Sequence, residues 1–433
     1  MKIAVIGAGI SGMGCALALS ERHDVTLFEA EGRIGGHANT VEARFGQHRV
    51  PVDTGFIVYN TQNYPNLTGL FAHLEVPTKW SDMSFGFSMA DGAFEYACDN
   101  LDKLFAQRKR VMDIRHIRML RQILRFMKTA PEQLARGDLA GLTLGQWIAR
   151  EGYGGWFRDR FLIPMGGAIW STKLTEVMDF PAENFINFFV NHDLMTGLDK
   201  AQQWRTVDGG SREYVRRIVS RLDGRIVSGR RAVSVDGGQV RFADGGAAAF
   251  DQVVLACHAP QALALITPDA EQHAILSAFQ TSPNRAVLHS DPALMPKRRK
   301  VWSSWSVISG GAVADADRPA QLSYWMNRLQ SIPDETPLFV TLNPVIEPDP
   351  ALVHSVHDYA HPLYTQAAFD AQKRIDTIQG RGGVWFAGAW LGYGFHEDGL
   401  RSGLRVAEAL GARPEWARDT GAPIGEGYAH AAE

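Results

Sequence analysis

Cysteine is scarce in this chain of 433 residues: Cys15, Cys98 and Cys257 are the three present, too few for a disulfide framework and without the paired spacing of a metal-binding knuckle. A reducing, cytoplasmic setting is expected. Met1-Lys2 leads directly into Ile3-Ala4-Val5-Ile6 rather than into a charged and then apolar leader, so no secretory signal is expected. No apolar run approaches the ~20 residues that span a bilayer, which leaves peripheral contact at the inner face of a membrane as the form of membrane association to consider. Charge of either sign is barely in excess, 44 Lys and Arg against 47 Asp and Glu for a net of -3, so no overall basic surplus points to nucleic acid. Hydrophobic residues make up 45% and charged residues 21%, the composition of a chain that buries a core rather than of a disordered one. At roughly 150 residues per domain, two or three domains are expected.

What is present divides along the chain. Residues 2 to 29 read as a buried strand KIAVIG, a glycine-rich turn, a helix of small residues and a second strand VTLFE. Aromatic-rich helical segments follow from about Thr68 to Thr196. Short strands return over 224 to 256, separated by Asp-Gly-Gly turns at 236–238 and 244–246. A second mixed segment over about 262 to 375 precedes the strand VWFAG at 384–388. This alternation predicts a dinucleotide-binding domain from residues 1–67, 204–260 and 377–412, interleaved with a substrate domain from 68–203 and 261–376. The tail 413–433, rich in Gly, Pro, Ala and charge, is expected to be loosely ordered.

Gly7-x-Gly9-x-x-Gly12 follows the first strand and opens the helix, the context that gives this short pattern weight. Gly7 permits the tight turn, Gly9 lets backbone approach a pyrophosphate, and Gly12 lets helix and strand pack closely. The helix start, with Ile10 and Ser11, presents free N–H groups and a positive dipole end. Glu29, at the end of the second strand, is placed to accept ribose hydroxyls.

The stretch Glu29-Ala30-Glu31-Gly32-Arg33-Ile34-Gly35-Gly36-His37 resembles the E-x-x-x-R-x-G-G extension of the amine oxidase and phytoene desaturase superfamily of FAD enzymes. Val52-Asp53-Thr54-Gly55-Phe56 resembles its following D-x-G segment, and Val384–Trp390 with Gly392–Gly399 and Ser402-Gly403 resembles its second FAD segment. The wording GYGFHEDG, with GFIVYNTQNYPN, SDMSFGFS, YWMNRLQ and HPLY, is similar to stand-alone bacterial flavoproteins and to the flavin-like N-terminal domain of plant cyclopropane fatty acid synthases. The resemblance covers residues 1 to about 412. It implies an α/β fold with a Rossmann-like FAD-binding domain and a mixed α+β substrate domain, amine-oxidase-like. It implies FAD contacts from Gly7, Gly9, Ile10, Ser11, Gly12, Glu29, Ala30, Arg33, Gly35, Gly36, His37, Gly55, Phe56, Ile57, Val233, Gly388, Asp398, Gly399 and Ser402. Ala389 departs from the pattern, since many superfamily members carry Asp or Glu there. The activity implied is FAD-dependent oxidation, with fatty-acyl chains of membrane lipids as the expected apolar substrate. Amine, carotenoid or porphyrinogen oxidation, or a non-catalytic partnership with an acyl-modifying methyltransferase, are the alternatives.

A flavin takes hydride without a protein nucleophile, so the protein has to supply orientation, dryness and electrostatics. No second glycine fingerprint for a nicotinamide is visible, and the substrate is expected to supply the electrons. His396 and Glu397, beside the expected ring position, are the candidates for proton transfer, with helix capping or flavin positioning as the other reading. Over residues 107–128, eight basic residues face one acid, Asp113, while Ile114, Ile117, Leu120, Leu124 and Met127 recur at helical spacing. A basic amphipathic helix is expected there, either docking on anionic lipid or simply solvated. His354, His357, Asp358 and His361 come near a metal-ligand spacing, but no second cluster accompanies them, and no metal is expected.

Overall fold

The computed structural model describes residues 1–170, 175–191, 203–309 and 321–421. Its organising layer is a five-stranded parallel sheet in the order Ile226–Val227, Asp24–Phe28, Lys2–Ile6, Gln252–Leu255, Val384–Phe386. The central strand is an unbroken β-branched and alanine run because both faces are covered. On one face lies the helix Ile10–Leu19, every residue of which is buried. Its close seating depends on glycine: a Cβ on Gly12 would collide with the Gly7 carbonyl, and one on Gly403 of the helix His396–Ala409 would collide with the carbonyl of Ser11. On the other face, Val235, Val240 and Phe242 pack with Ala4, Ile6 and Phe28. They come from the small antiparallel sheet Ala232–Asp236, Gln239–Phe242, Ala247–Ala249, so most of the 224–256 strands form a layer beside the parallel sheet and only 226–227 and 252–255 enter it.

A second, seven-stranded sheet runs Val353–Leu363, Gln280–His289, Phe339–Leu342, Gln321–Trp325, Trp305–Ser309, Phe85–Met89, Phe94–Ala97. Only the pair 305–309 and 85–89 is parallel. An aromatic core joins this sheet to the helices Ile114–Ala135, Leu144–Arg150, Ile163–Trp170 and Ala182–Asn191.

Two expectations are corrected here. The basic segment is not one helix over 107–128: a 3-10 turn, Arg108–Met112, is followed by an α-helix that Asp113 caps and that continues to Ala135. The Asp113 carboxylate accepts from the Arg115 N–H, which ends the first turn and starts the second. The buried stripe is His116, Met119, Ile123, Phe126, Ala130 and Gln133, so Ile114 and Leu124 stand in solvent. The tail is the other case. Through residue 421 it is docked, with Trp416 and Thr420 buried, the N–H groups of Arg418 and Asp419 donating to Asn66 Oδ1, and Thr420 donating to Glu408. Residues 422–433 lie outside the described residues.

Candidate functional site

A cleft of about 1030 Å³ opens at the carboxyl ends of the parallel strands and continues between the two sheets, the place where open α/β sheets bind ligands. One end is built by the glycine turn. Gly7 has φ +106, a conformation only glycine adopts freely, and turns the chain out of the sheet into the helix at Ile10. No side chain caps that helix at Gly9, and space is open beyond its Cα. The backbone therefore presents unshielded N–H groups and a positive dipole end to the cleft. Glu29 accepts from the Ala8 N–H at 2.9 Å and the Glu31 N–H at 3.0 Å, so its carboxylate fixes the turn while lining the cleft. Gly36 closes over the same turn, a Cβ there falling 3.0 Å from Gly9 Cα.

Gly7, Gly9, Ile10, Ser11, Glu29, Ala30, Arg33, Gly36, His37, Gly55, Phe56, Ile57, Val233, Gly388 and His396 all line this cleft. Arg33 also donates to the carbonyls of Ala38 and Gly36 and so braces its own loop. The other singled-out residues stand behind the wall. Gly12 and Gly35 serve close backbone packing, Gly35 against the Ala38 carbonyl. Gly399 lies against Ser11 and Ile10. Ser402 accepts from the Gly388 N–H and donates to the Gly399 carbonyl, and Asp398 accepts from the N–H groups of Tyr393 and Phe395. These two shape the 388–395 loop, their polar atoms being taken by backbone and, at Asp398 Oδ1, by Arg401 at 3.4 Å.

Of the two readings of Glu397, proton transfer and helix capping, its hydrogen bonds match the second. It is buried, and its carboxylate accepts from the N–H of Asn66, the side-chain amide of Asn66 and the N–H of Leu67. It caps the helix Pro65–His73, where those N–H groups have no intrahelical partner. Burial still pushes its carboxyl up to about 7 against these hydrogen bonds. His396, one residue earlier, does reach the cleft. Its ring stacks on Phe56 with centroids 3.8 Å apart, its Nε2 lies 3.1 Å from the Tyr214 hydroxyl, and burial pushes it down to about 3, so it is neutral at pH 7.

Across the cleft stands a group that sequence reasoning missed. His357, Tyr359 and His361 alternate on the strand Val353–Leu363, which places all three side chains on one face. That period of two was the available signal. Tyr359 stacks on His37 at 4.9 Å, meets Thr54 Oγ1 at 2.8 Å and accepts from Asn39 at 2.9 Å. His361 lies 5.4 Å from His37. Burial, and then His361, His258 and His396, hold His37 well below the ordinary imidazole value. Burial pushes His361 down to about 4, with His258 adding to it. Among the described residues no group of three or more His, Cys, Asp or Glu is arranged to hold a metal ion.

The far end is aromatic. Phe85, Trp305 and Tyr324 form an edge-packed series at 5.6 and 4.9 Å, facing Trp170 and Phe188, 4.9 Å apart, with Met83, Ile169 and Trp204 completing the wall. Among the described lining residues none is lysine. Glu29, Glu31, Arg33, Arg230 and Arg231 gather at the glycine turn, where the Arg230 N–H donates to the Glu29 carbonyl, and Asp358 is solvent-exposed. Trp170 Nε1, Trp305 Nε1 and Tyr364 Oη, in residues that line the cleft, are buried without a hydrogen-bond partner among the described residues. A glycine cradle with unshielded N–H groups, an acid beside it, and a long cleft leading from it between the two sheets fit an extended dinucleotide carrying a fused-ring head. Glu29→Ala is expected to weaken retention of that cofactor roughly tenfold or more, by losing a charged acceptor and loosening the turn. The ratio of cofactor to protein absorbance after gel filtration measures it, and an unchanged ratio removes the carboxylate from binding.

The comparisons agree with this geometry. The model of a family described as flavin containing amine oxidoreductase matches residues 10–411. No curated protein is matched by the sequence. Among solved structures, wild-type putrescine oxidase bound to putrescine superposes with TM-score 0.66 at 16% identity, covering 95% of this chain and 100% of that one. Cyclohexylamine oxidase from Brevibacterium oxydans IH-35A gives 0.66 at 16%, with 94% and 98% covered. A CLA-producing fatty acid isomerase from P. acnes gives 0.63 at 14%, with 93% and 96% covered.

Proposed function

Because the chain belongs to the flavin-containing amine oxidoreductases and is an FAD-dependent oxidoreductase, we propose that it dehydrogenates a neutral, apolar chain, a fatty-acyl group of a membrane lipid. The observation that carries this reading is the uncharged aromatic end of the cleft. A diammonium substrate would call for a carboxylate there to replace its lost hydration, and the described residues provide none. An acyl chain asks only for dry apolar contact, and the same fold in the P. acnes protein serves a fatty acid isomerase.

FAD, once bound, supplies the acceptor for two electrons and one hydrogen, while the second hydrogen of the new double bond leaves as a proton. The residues of this chain do the rest. Gly7, Gly9 and the helix start at Ile10 hold the diphosphate, and Glu29 the ribose. Trp170, Phe188, Trp305 and Tyr324 exclude water and align the chain. Of the two groups singled out for proton transfer, only His396 lines the cleft, held in orientation by Tyr214 and by stacking on Phe56.

Mixed anaerobically with a lipid extract, the FAD-loaded protein is expected to lose its oxidised-flavin absorbance as an acyl lipid loses two hydrogens by mass spectrometry. Bleaching by a primary amine or a polycyclic substrate, with every acyl lipid inert, would overturn the reading in favour of amine or porphyrinogen oxidation.

A further inference from the structure

The break at Asp113 leaves an unusual corner on the surface. Met112 is 87% exposed and Ile114 78%, with Val111, Leu101 and Leu124 also standing in solvent. Exposed apolar side chains are ordinary when scattered singly, but here Val111, Met112 and Ile114 are gathered at one turn and the start of one helix. Beside them the solvent face of the helix carries Arg118, Arg121 and Lys128, which with Lys109 make no ion pair among the described residues.

The same corner holds a cluster of like charges. The guanidinium carbons of Arg160, Arg115 and Arg110 lie 4.1, 4.7 and 5.9 Å from the ring centre of Trp156. Asp113 pairs with Arg110 at 2.7 Å and Arg115 at 3.3 Å. Arg160 has no acid partner among the described residues, and its Nε is buried without a hydrogen bond. Asp159, the next carboxylate, is paired with Arg158, so positive charge stays in excess around Trp156 and an anion joining the guanidiniums would relieve their repulsion.

We propose that this corner docks the protein on an anionic phospholipid bilayer. Met112 and Ile114 enter the interfacial apolar layer, the arginines around Trp156 take a lipid phosphate, and the helix lies along the surface with its basic face toward the headgroups. Charge complementarity selects this occupant. A polyanion such as RNA would use the basic residues but leave the apolar crown in water, and a protein partner would call for acids matched to each unpaired base. The placement suits a lipid enzyme: Phe126 on the buried face of this helix packs 6.0 Å from Phe189, whose helix carries Phe188 on the cleft wall. The docking face is thus one helix layer from the aromatic end. The inference rests on the surface alone and survives if the acyl-chain reading fails.

The test is co-sedimentation of the full-length, FAD-loaded protein with vesicles of phosphatidylcholine alone or mixed with phosphatidylglycerol, at low salt. Binding is expected only with phosphatidylglycerol present. R118Q/R121Q/K128Q should weaken it roughly a hundredfold, at about fivefold per charge, and M112E/I114E should weaken it comparably. All five positions are exposed, so flavin content and melting temperature should hold and serve as folding controls. Absence of wild-type binding, variants binding as tightly as wild type, or stronger binding to RNA than to vesicles would each overturn the proposal.

Discussion

Glu397→Ala is expected to cost about 3 kcal/mol or more of stability while leaving the flavin chemistry of the folded fraction within about twofold. The carboxylate satisfies three donors, Asn66 N, Asn66 Nδ2 and Leu67 N, in a place only 7% exposed. Alanine removes the acceptor and admits no water in compensation, so each donor is left with its desolvation penalty. The loss spreads because Asn66 also accepts from the N–H groups of Arg418 and Asp419. Helix 65–73, helix 396–409 and the docked tail should therefore loosen together. A melting temperature lower by at least ~3 °C, with a rate of anaerobic flavin reduction by substrate that stays within about twofold, is the expected pair of results. A normal melting temperature with reduction slowed a hundredfold would return Glu397 to the catalytic role its position in the sequence suggested.

That misplacement shows where sequence reasoning ends. Gly7, Gly9, Gly12 and Glu29 were legible because their duties are local: a turn, a close approach and the end of the adjacent strand all lie within 30 residues, and the chemistry follows from backbone geometry. His396 and Glu397 are neighbours in sequence, but successive residues on a helix point about 100° apart, and one reaches the cleft while the other meets Asn66, a partner 331 positions away. Ser402 and Asp398 were read as cofactor contacts from the resemblance of the 384–403 segment. Their side chains serve the backbone of Gly388, Tyr393 and Phe395, which spacing alone does not reveal. The face formed by His357, Tyr359 and His361 depends on the pairing of strands 353–363 and 280–289, and on the seven-stranded sheet meeting the loop at His37. In the basic segment, the apolar repeat from Ile114 to Met127 is real but is not the buried stripe, because His116 and Met119 face the aromatic core instead. A polar residue on the buried face shifts the apparent phase of a helix.

Acid is expected to destabilise the protein steeply below about pH 6.5, and the buried histidines set the sign. His396 is pushed down to about 3, and His361 and His289 to about 4, chiefly by burial, with His37 also held well below its usual value. Each is neutral in the folded chain and protonated in the unfolded one between its folded value and about 6.5, so each contributes stability that is present above that range and lost as pH falls. His116, His258, His354 and His357 are shifted the same way by burial. Three carboxyls oppose them, Asp398 among them, raised by burial. Burial raises Glu397 to about 7 and Asp53 to about 6, the latter despite hydrogen bonds from Thr40 and Ser211, so the folded state takes up their protons early and gains stability as pH falls. Four strongly shifted histidines against three carboxyls leave a difference of about one proton, on the order of 1 kcal/mol per pH unit between about pH 6 and 5, to which the four less shifted histidines add. Thermal melts of the FAD-loaded protein at about pH 7.5 and about pH 5.5 should differ by about 2 °C or more. Because His37, His361 and His396 line the cleft, flavin release should accompany the loss. A melting temperature that stays level or rises toward pH 5.5 would mean that these rings are already protonated in the fold, and that the cleft holds charge where the burial of its walls now requires neutral imidazole.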